Sequence, residues 1–196
     1  MIRQLRATVH NLSMFTGSIT FSDAAWKTDS GQRLAPAGLG LFIQNVGSSH
    51  CREIQIAAIS PPVSSVLQAE AFALLLAVKV AERLQIQITG MFTDNRVLSR
   101  AVAANNVIDD PGHWELAPLL ACISSNRVFD HHNVFHVARQ FNFKADFLAK
   151  LARRLLNRNT AFRCLRTSST FGVCPVRDAL ADQAVLPIRL VSVKCC

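Results

Sequence analysis

Asp23, Glu70, Asp94 and Asp146 stand where carboxylates are unusual in this 196-residue chain. Asp23 falls in the alternating segment Ile19-Thr20-Phe21-Ser22-Asp23, so it points the same way as Ile19 and Phe21. Glu70 interrupts an otherwise apolar helix face, Asp94 ends a strand, and Asp146 sits in the first turn of a helix. Each also has a bland reading: Asp94 could cap the helix that begins at Asn95, and Asp146 could simply favour a helix N-terminus. Gathered at one place, such acids repel and raise one another's pKa. A hard divalent cation both needs oxygen ligands of this kind and makes their proximity tolerable.

The elements that would position these acids follow from periodicity. Ile19–Trp26, Ala37–Gln44 and Glu53–Ser60 alternate or run apolar in the manner of short strands, separated by turn residues, which predicts an antiparallel meander. Ser64 or Ser65 can cap a helix running through Leu84, after Pro61-Pro62 keeps the preceding chain extended. Ile86–Asp94 is strand-like, Asn95–Ala104 and Trp114–Ser124 are helical with a break at Asp109–Gly112, Asn133–Val137 is a fifth strand, and Phe143–Asn157 a final helix. Antiparallel strands first, then strands alternating with helices, predict an α/β fold: a mixed five-stranded sheet with helices on both faces.

Half of the residues are hydrophobic and 17% are charged, which excludes wholesale disorder. The richest apolar run, Ala69–Val78, contains Glu70 and ends at Lys79, well short of the ~20 residues that span a bilayer. The N-terminal residues lack a continuous apolar stretch of signal-peptide length, and six cysteines show no CxxC, so an intracellular, non-secreted chain with reduced thiols is expected. The Asn11-Leu12-Ser13 sequon is then without consequence, His131-His132 with His136 reads as a solvated loop rather than a metal cluster, and Cys195-Cys196 matches a double-cysteine prenylation signal only superficially.

Net charge is +8, and its distribution is uneven: residues 153–196 hold eight basic and two acidic side chains, while the rest is nearly balanced. This suits a polyanionic partner attracted without sequence readout. Three segments are expected: a leader at 1–16, a globular domain at 17–157, and a basic, poorly ordered tail at 158–196 that could be removed without unfolding the domain.

Four motifs in order carry a resemblance. Ser22-Asp23-Ala24-Ala25-Trp26 with Ala37-Gly38-Leu39-Gly40, Gln68-Ala69-Glu70-Ala71, Phe92-Thr93-Asp94-Asn95, and the stretch His136-Val137-Ala138-Arg139-Gln140-Phe141-Asn142-Phe143-Lys144-Ala145-Asp146-Phe147-Leu148-Ala149 together resemble the type 1 ribonuclease H domain, especially the plant reverse-transcriptase-like, retrotransposon-derived branch. The resemblance covers about residues 17–152. It implies a metal-dependent endonuclease that hydrolyses the RNA strand of RNA–DNA hybrids, acting as a monomer. Two Mg²⁺ ions, or Mn²⁺ in their place, would stabilise the attacking and leaving oxygens. It further implies that Asp23, Glu70, Asp94 and Asp146 are the metal ligands, that His136 assists catalysis from a loop that Asn142 stabilises, and that Arg139, Asn142 and Asn95 meet the nucleic acid. The acids should converge on one face of the sheet. Ala24 and Ala25 stand where the family usually has Gly and Ser, and Asn95–Gly112 offers only Arg96 and Arg100 in place of a long basic loop. These departures define the alternative, a catalytically inactive module that binds nucleic acid or protein.

Overall fold

Three alternating segments form the centre of the sheet in the computed structural model, which describes residues 8–9, 12, 14–28, 33–48, 51–103, 111–126, 130–164, 174–181 and 187–196. Strands β1 (Ser18–Ala25), β2 (Ala35–Ser48) and β3 (Cys51–Val63) make the expected antiparallel meander, with Asp23 opposite Gly40. The described turn residues expected between Ala37–Gln44 and Glu53–Ser60 are instead strand. The β2–β3 register shifts between Gln44 and Ser48, and Asn45 takes φ 59°, a left-handed conformation that asparagine tolerates.

Helix α1 (Val66–Arg83) follows, its first turn closed by the Ser65 hydroxyl accepting from the Gln68 amide. β4 (Ile88–Thr93) pairs parallel with β1, α2 (Arg96–Ala103) leads to a 3-10 turn at Pro111–Leu116 and α3 (Ala117–Ser124), and β5 (Val134–His136) pairs parallel with β4. Helix α4 (Phe143–Arg154) then crosses the other face.

Alternation in β2 sorts the two faces. Leu39, Leu41 and Ile43 share a core with Ala69–Val78 of α1, while Phe42 joins Ala145 and Leu148 of α4. α1 is buried nearly all round because the sheet covers one side and Leu120, Ile123, Val176 and Leu180 pack with it on the other. α4 sits so close to β2 that only glycine fits beneath it. A Cβ at Gly40 would lie 1.9 Å from the Ala145 carbonyl oxygen, and one at Gly38 2.1 Å from that of Ala149. The Gly38-Leu39-Gly40 pattern thereby sets the height at which α4 carries Asp146.

The expected five strands are seven, in the order β5-β4-β1-β2-β3-β7-β6. The described part of the segment read as a poorly ordered tail forms β6 (Ala161–Cys164), α5 (Pro175–Ala181) and β7 (Arg189–Cys195). β7 pairs antiparallel with β3 and parallel with β6. The reason is local: Leu190, Val191, Val193 and Cys195 are apolar and buried, and they satisfy the β3 edge, whose amides and carbonyls would otherwise face solvent. Net charge averaged over the whole segment hid that short apolar strand. The leader contributes as well, since Val9 bridges Val137 and Phe15 packs edge-on against Phe92 and Phe135. The Asn11 residue of the sequon and the Asp109-Asp110 part of the break lie outside the described residues. No helix among the described residues is long and apolar enough to cross a membrane.

Candidate active site

β1 and β4 run parallel, so their C-terminal ends open at the same edge, where ligand sites gather in open α/β sheets. Asp23 lies near the end of β1, Asp94 follows the last residue of β4, and Glu70 reaches in from the first turns of α1. One ligand oxygen from each of these three lies within 4.8 Å of the others. Asp23 and Glu70 are each 5% exposed. Asp146, from the first turn of α4, borders the group without belonging to that tight set. Arg139 links them: its Nε lies 3.9 Å from Asp94 Oδ2, and its terminal nitrogen donates to Asp146 Oδ1 at 3.4 Å.

The expectation of a single sheet face is not met. α1 and α4 cover opposite faces, so Glu70 and Asp146 approach from opposite sides. They can meet around Asp23 and Asp94 because these stand where the strands end and the sheet no longer separates its two faces.

Electrostatics divide the four acids. Burial, and then the Asp94 charge, push Asp23 up from 3.8 to about 7, with Asp146 adding to the rise and the Ala24 amide opposing it. Burial first, then Asp23 and Asp94, hold Glu70 well above its ordinary value. Asp146 also feels a desolvation cost, but Lys150 at 2.6 Å and Arg139 outweigh it and keep this carboxyl below the usual range. The hydrogen bond to Asp146, followed by the charges of the three aspartates, raises Arg139 in turn.

Asn142 fastens the site from beneath. Its side-chain amide donates to the Ser22 carbonyl at 3.0 Å and to Asp94 Oδ1 at 3.5 Å, tying the start of α4 to both acid-bearing strand ends. Its backbone carbonyl accepts from the Asp146 amide, the first helical bond of α4. Asn142 is wholly buried, which makes it a positioning residue rather than a surface contact. Asn95, expected to meet nucleic acid, commits its side-chain oxygen to the Leu98 amide, and its own amide donates to Thr93 Oγ1. Asn95 therefore caps α2, and Asp94, the bland alternative for that duty, stays turned to the acid cluster. His136 ends β5 opposite Thr93, its Nδ1 within 2.8 Å of the Thr8 hydroxyl.

The donor set suits a hard cation. Every group in the cluster offers oxygen, and Glu70 Oε2 is buried without a hydrogen-bond partner among the described residues. Such an orphaned anionic oxygen is costly unless a proton or a metal takes it up. Lys150 was the residue missed from sequence, although its i,i+4 spacing from Asp146 was readable. Thr8 had no such signal, because its partner lies 128 residues away.

Residues 22–152 match the model of the reverse transcriptase-like family. The chain belongs to that family. This reverse transcriptase-like domain also has the ribonuclease H fold. It is similar to an LC11-RNase H1 solved with an RNA/DNA hybrid (TM-score 0.53, 19% identity, 71% of this chain and 99% of that one). It is similar as well to the N-terminal RNase H domain of a Mycobacterium tuberculosis protein (0.52, 16%, 70% and 93%). RNase H1 from Halobacterium salinarum matches at TM-score 0.50 with 16% identity, over 70% of this chain and 97% of that one. No curated protein matches the chain. The family match ends at residue 152, so β6, α5 and β7 extend the domain beyond it.

Proposed function

We propose that this domain is a metal-dependent endonuclease that hydrolyses the RNA strand of RNA–DNA hybrids, as an intracellular monomer. The observation that carries the reading is the buried triad Asp23, Glu70 and Asp94, whose ligand oxygens lie within 4.8 Å of one another. A pair of Mg²⁺ ions, with Mn²⁺ able to replace them, would supply charge stabilisation to the attacking and leaving oxygens of the phosphodiester.

The residues divide the remaining work. Asp23, Glu70 and Asp94 would hold the cations with Asp146 at the rim, and cation binding would release the proton that the strained Asp23–Glu70 pair retains near neutral pH. Arg139 is largely exposed beside the acids and can donate a forked pair of hydrogen bonds to a backbone phosphate. Doing so would release Asp146 from Arg139 while its pair with Lys150 remained. His136, which pairs with Thr93 at the end of β4, would handle a proton or water at the rim. The ribose 2′-hydroxyl and the shape of the hybrid would select RNA.

A specific observation favours the second reading, an inactive module: Asp146 is already neutralised by Lys150 and Arg139. One gel separates the two. Wild type with Mg²⁺ should cleave a hybrid, and Asp94→Asn should cut at least about 100-fold more slowly while binding the hybrid as well or better, having lost a charge that repels phosphate. If neither protein cleaves while both bind, the inactive module is correct. If both cleave equally, the triad is not the site.

A further inference from the structure

A second cluster of ligand atoms lies in the C-terminal extension, well apart in chemistry from the carboxylates. Cys164 is the last residue of β6, Cys174 immediately precedes α5, and Cys195 is the last residue of β7. The three sulfurs all lie within 4.8 Å of one another, and Cys174 Sγ is 3.3 Å from Cys195 Sγ. The parallel register between β6 and β7 sets Cys164 directly beside Cys195. Nothing in the spacing of these cysteines along the chain foretells the cluster. It exists because β6 ends, α5 begins and β7 ends at one corner of the sheet.

We infer that Cys164, Cys174 and Cys195 form a thiolate site for a soft cation of the Zn²⁺ class. Four-coordinate zinc with Zn–S near ~2.3 Å places its sulfurs about 3.8 Å apart, a spacing compatible with sulfurs gathered this closely. Three thiolates select against the hard cations that suit the oxygen triad, so the two sites would take different metals from the same solution. Cys195 is 4% exposed, whereas Cys164 and Cys174 are half-buried, so the cluster is sheltered but reachable from solvent.

A disulfide is the competing chemistry, but it would consume two sulfurs and leave the third. At 3.3 Å, Cys174 and Cys195 are also well beyond the bonded S–S distance of about 2.05 Å. The role of a bound ion follows from where the ligands sit. Cys164, Cys174 and Cys195 pack against the core that contains α1, as do Val176 and Leu180 of α5. One ion would clip β6, α5 and β7 to each other over that core, closing the edge of β3 by coordination as well as by strand pairing.

The test uses the full chain, reduced and stripped of metal with a chelator, titrated with Co²⁺ as a coloured stand-in for Zn²⁺. The expected result is thiolate-to-Co²⁺ charge-transfer absorption that saturates at one equivalent, is displaced by Zn²⁺, and is unmoved by excess Mg²⁺. Cys174→Ser and Cys164→Ser, each checked for cooperative unfolding, should lose that absorption, and Cys122→Ser, an exposed thiol on α3, should keep it. Zn²⁺ should raise the melting temperature of wild type and of Cys122→Ser alone. Absence of the bands in reduced, folded wild type would overturn the inference, and so would their persistence in both Cys164→Ser and Cys174→Ser. A chain isolated as the Cys174–Cys195 disulfide that binds no Co²⁺ after reduction would overturn it as well.

Discussion

Asp23→Asn should stabilise the metal-free protein while abolishing the proposed cleavage, because the same charge that would hold a cation strains the empty fold. Burial and the neighbouring acids raise the Asp23 carboxyl from 3.8 to about 7 in the native state. Between those values the native chain keeps a proton that the unfolded chain has released. Stability therefore falls as pH rises through this window, and the loss is complete above about pH 7. A shift of roughly three units at about 1.36 kcal/mol each sets the strain on the order of 4 kcal/mol above pH 7. It is an upper bound for the variant, since Glu70 shares the proton and asparagine must itself be hydrogen-bonded in place. Urea unfolding in chelator is the assay. The variant should gain up to about 4 kcal/mol over wild type near about pH 8 and only about 1 near about pH 4.5, where most of the strain is absent. Adding Mg²⁺ at the higher pH should stabilise wild type far more than the variant. A gain of equal size at both pH values would refute the electrostatic origin. A variant that unfolds more easily than wild type near pH 8 would refute the strain itself.

Three further outcomes follow from the packing around the site. Gly40→Val places a Cβ 1.9 Å from the Ala145 carbonyl oxygen, so thermal unfolding should show a loss of at least about 1–3 kcal/mol, with reduced cleavage because α4 must lift Asp146. Asn142→Ala removes the donor to the buried Ser22 carbonyl and should cost about 1–3 kcal/mol in urea unfolding, and kcat should fall more than hybrid affinity, because the residue positions Asp94 and Asp146 rather than touching the nucleic acid. Truncation after Asn157 removes β7 from the edge of β3 and exposes Ile54, Ile56 and Ala58 beneath it; loss of cooperative unfolding and concentration-dependent aggregation, seen by light scattering, are expected, and a monomeric, cooperatively unfolding fragment would show that the extension is dispensable.

The sequence by itself determined the central architecture and the identities of the acids. Period-2 alternation in Ile19–Trp26, the Ser65 cap before an apolar helix, and the ordered motifs around Asp23, Glu70, Asp94 and Asp146 are local signals, carried by residues a few positions apart. The two glycines of Ala37-Gly38-Leu39-Gly40 were visible as a motif, but their reason was not, because it is the backbone of a helix more than a hundred residues later. Everything that depends on such distant partners was decided by the tertiary structure. Whether Glu70 and Asp146 could meet around Asp23 was a question of where the strands end, since their helices occupy opposite faces. Asn142 and Asn95, alike as candidate contacts to nucleic acid, separate into a buried brace and a helix cap only once their partners are placed. Net charge described 158–196 as a solvated tail because an average over many residues is blind to one short apolar strand with an open edge to fill. The three cysteine sulfurs show the same limit, being scattered along the chain and brought together only when β6, α5 and β7 close that edge.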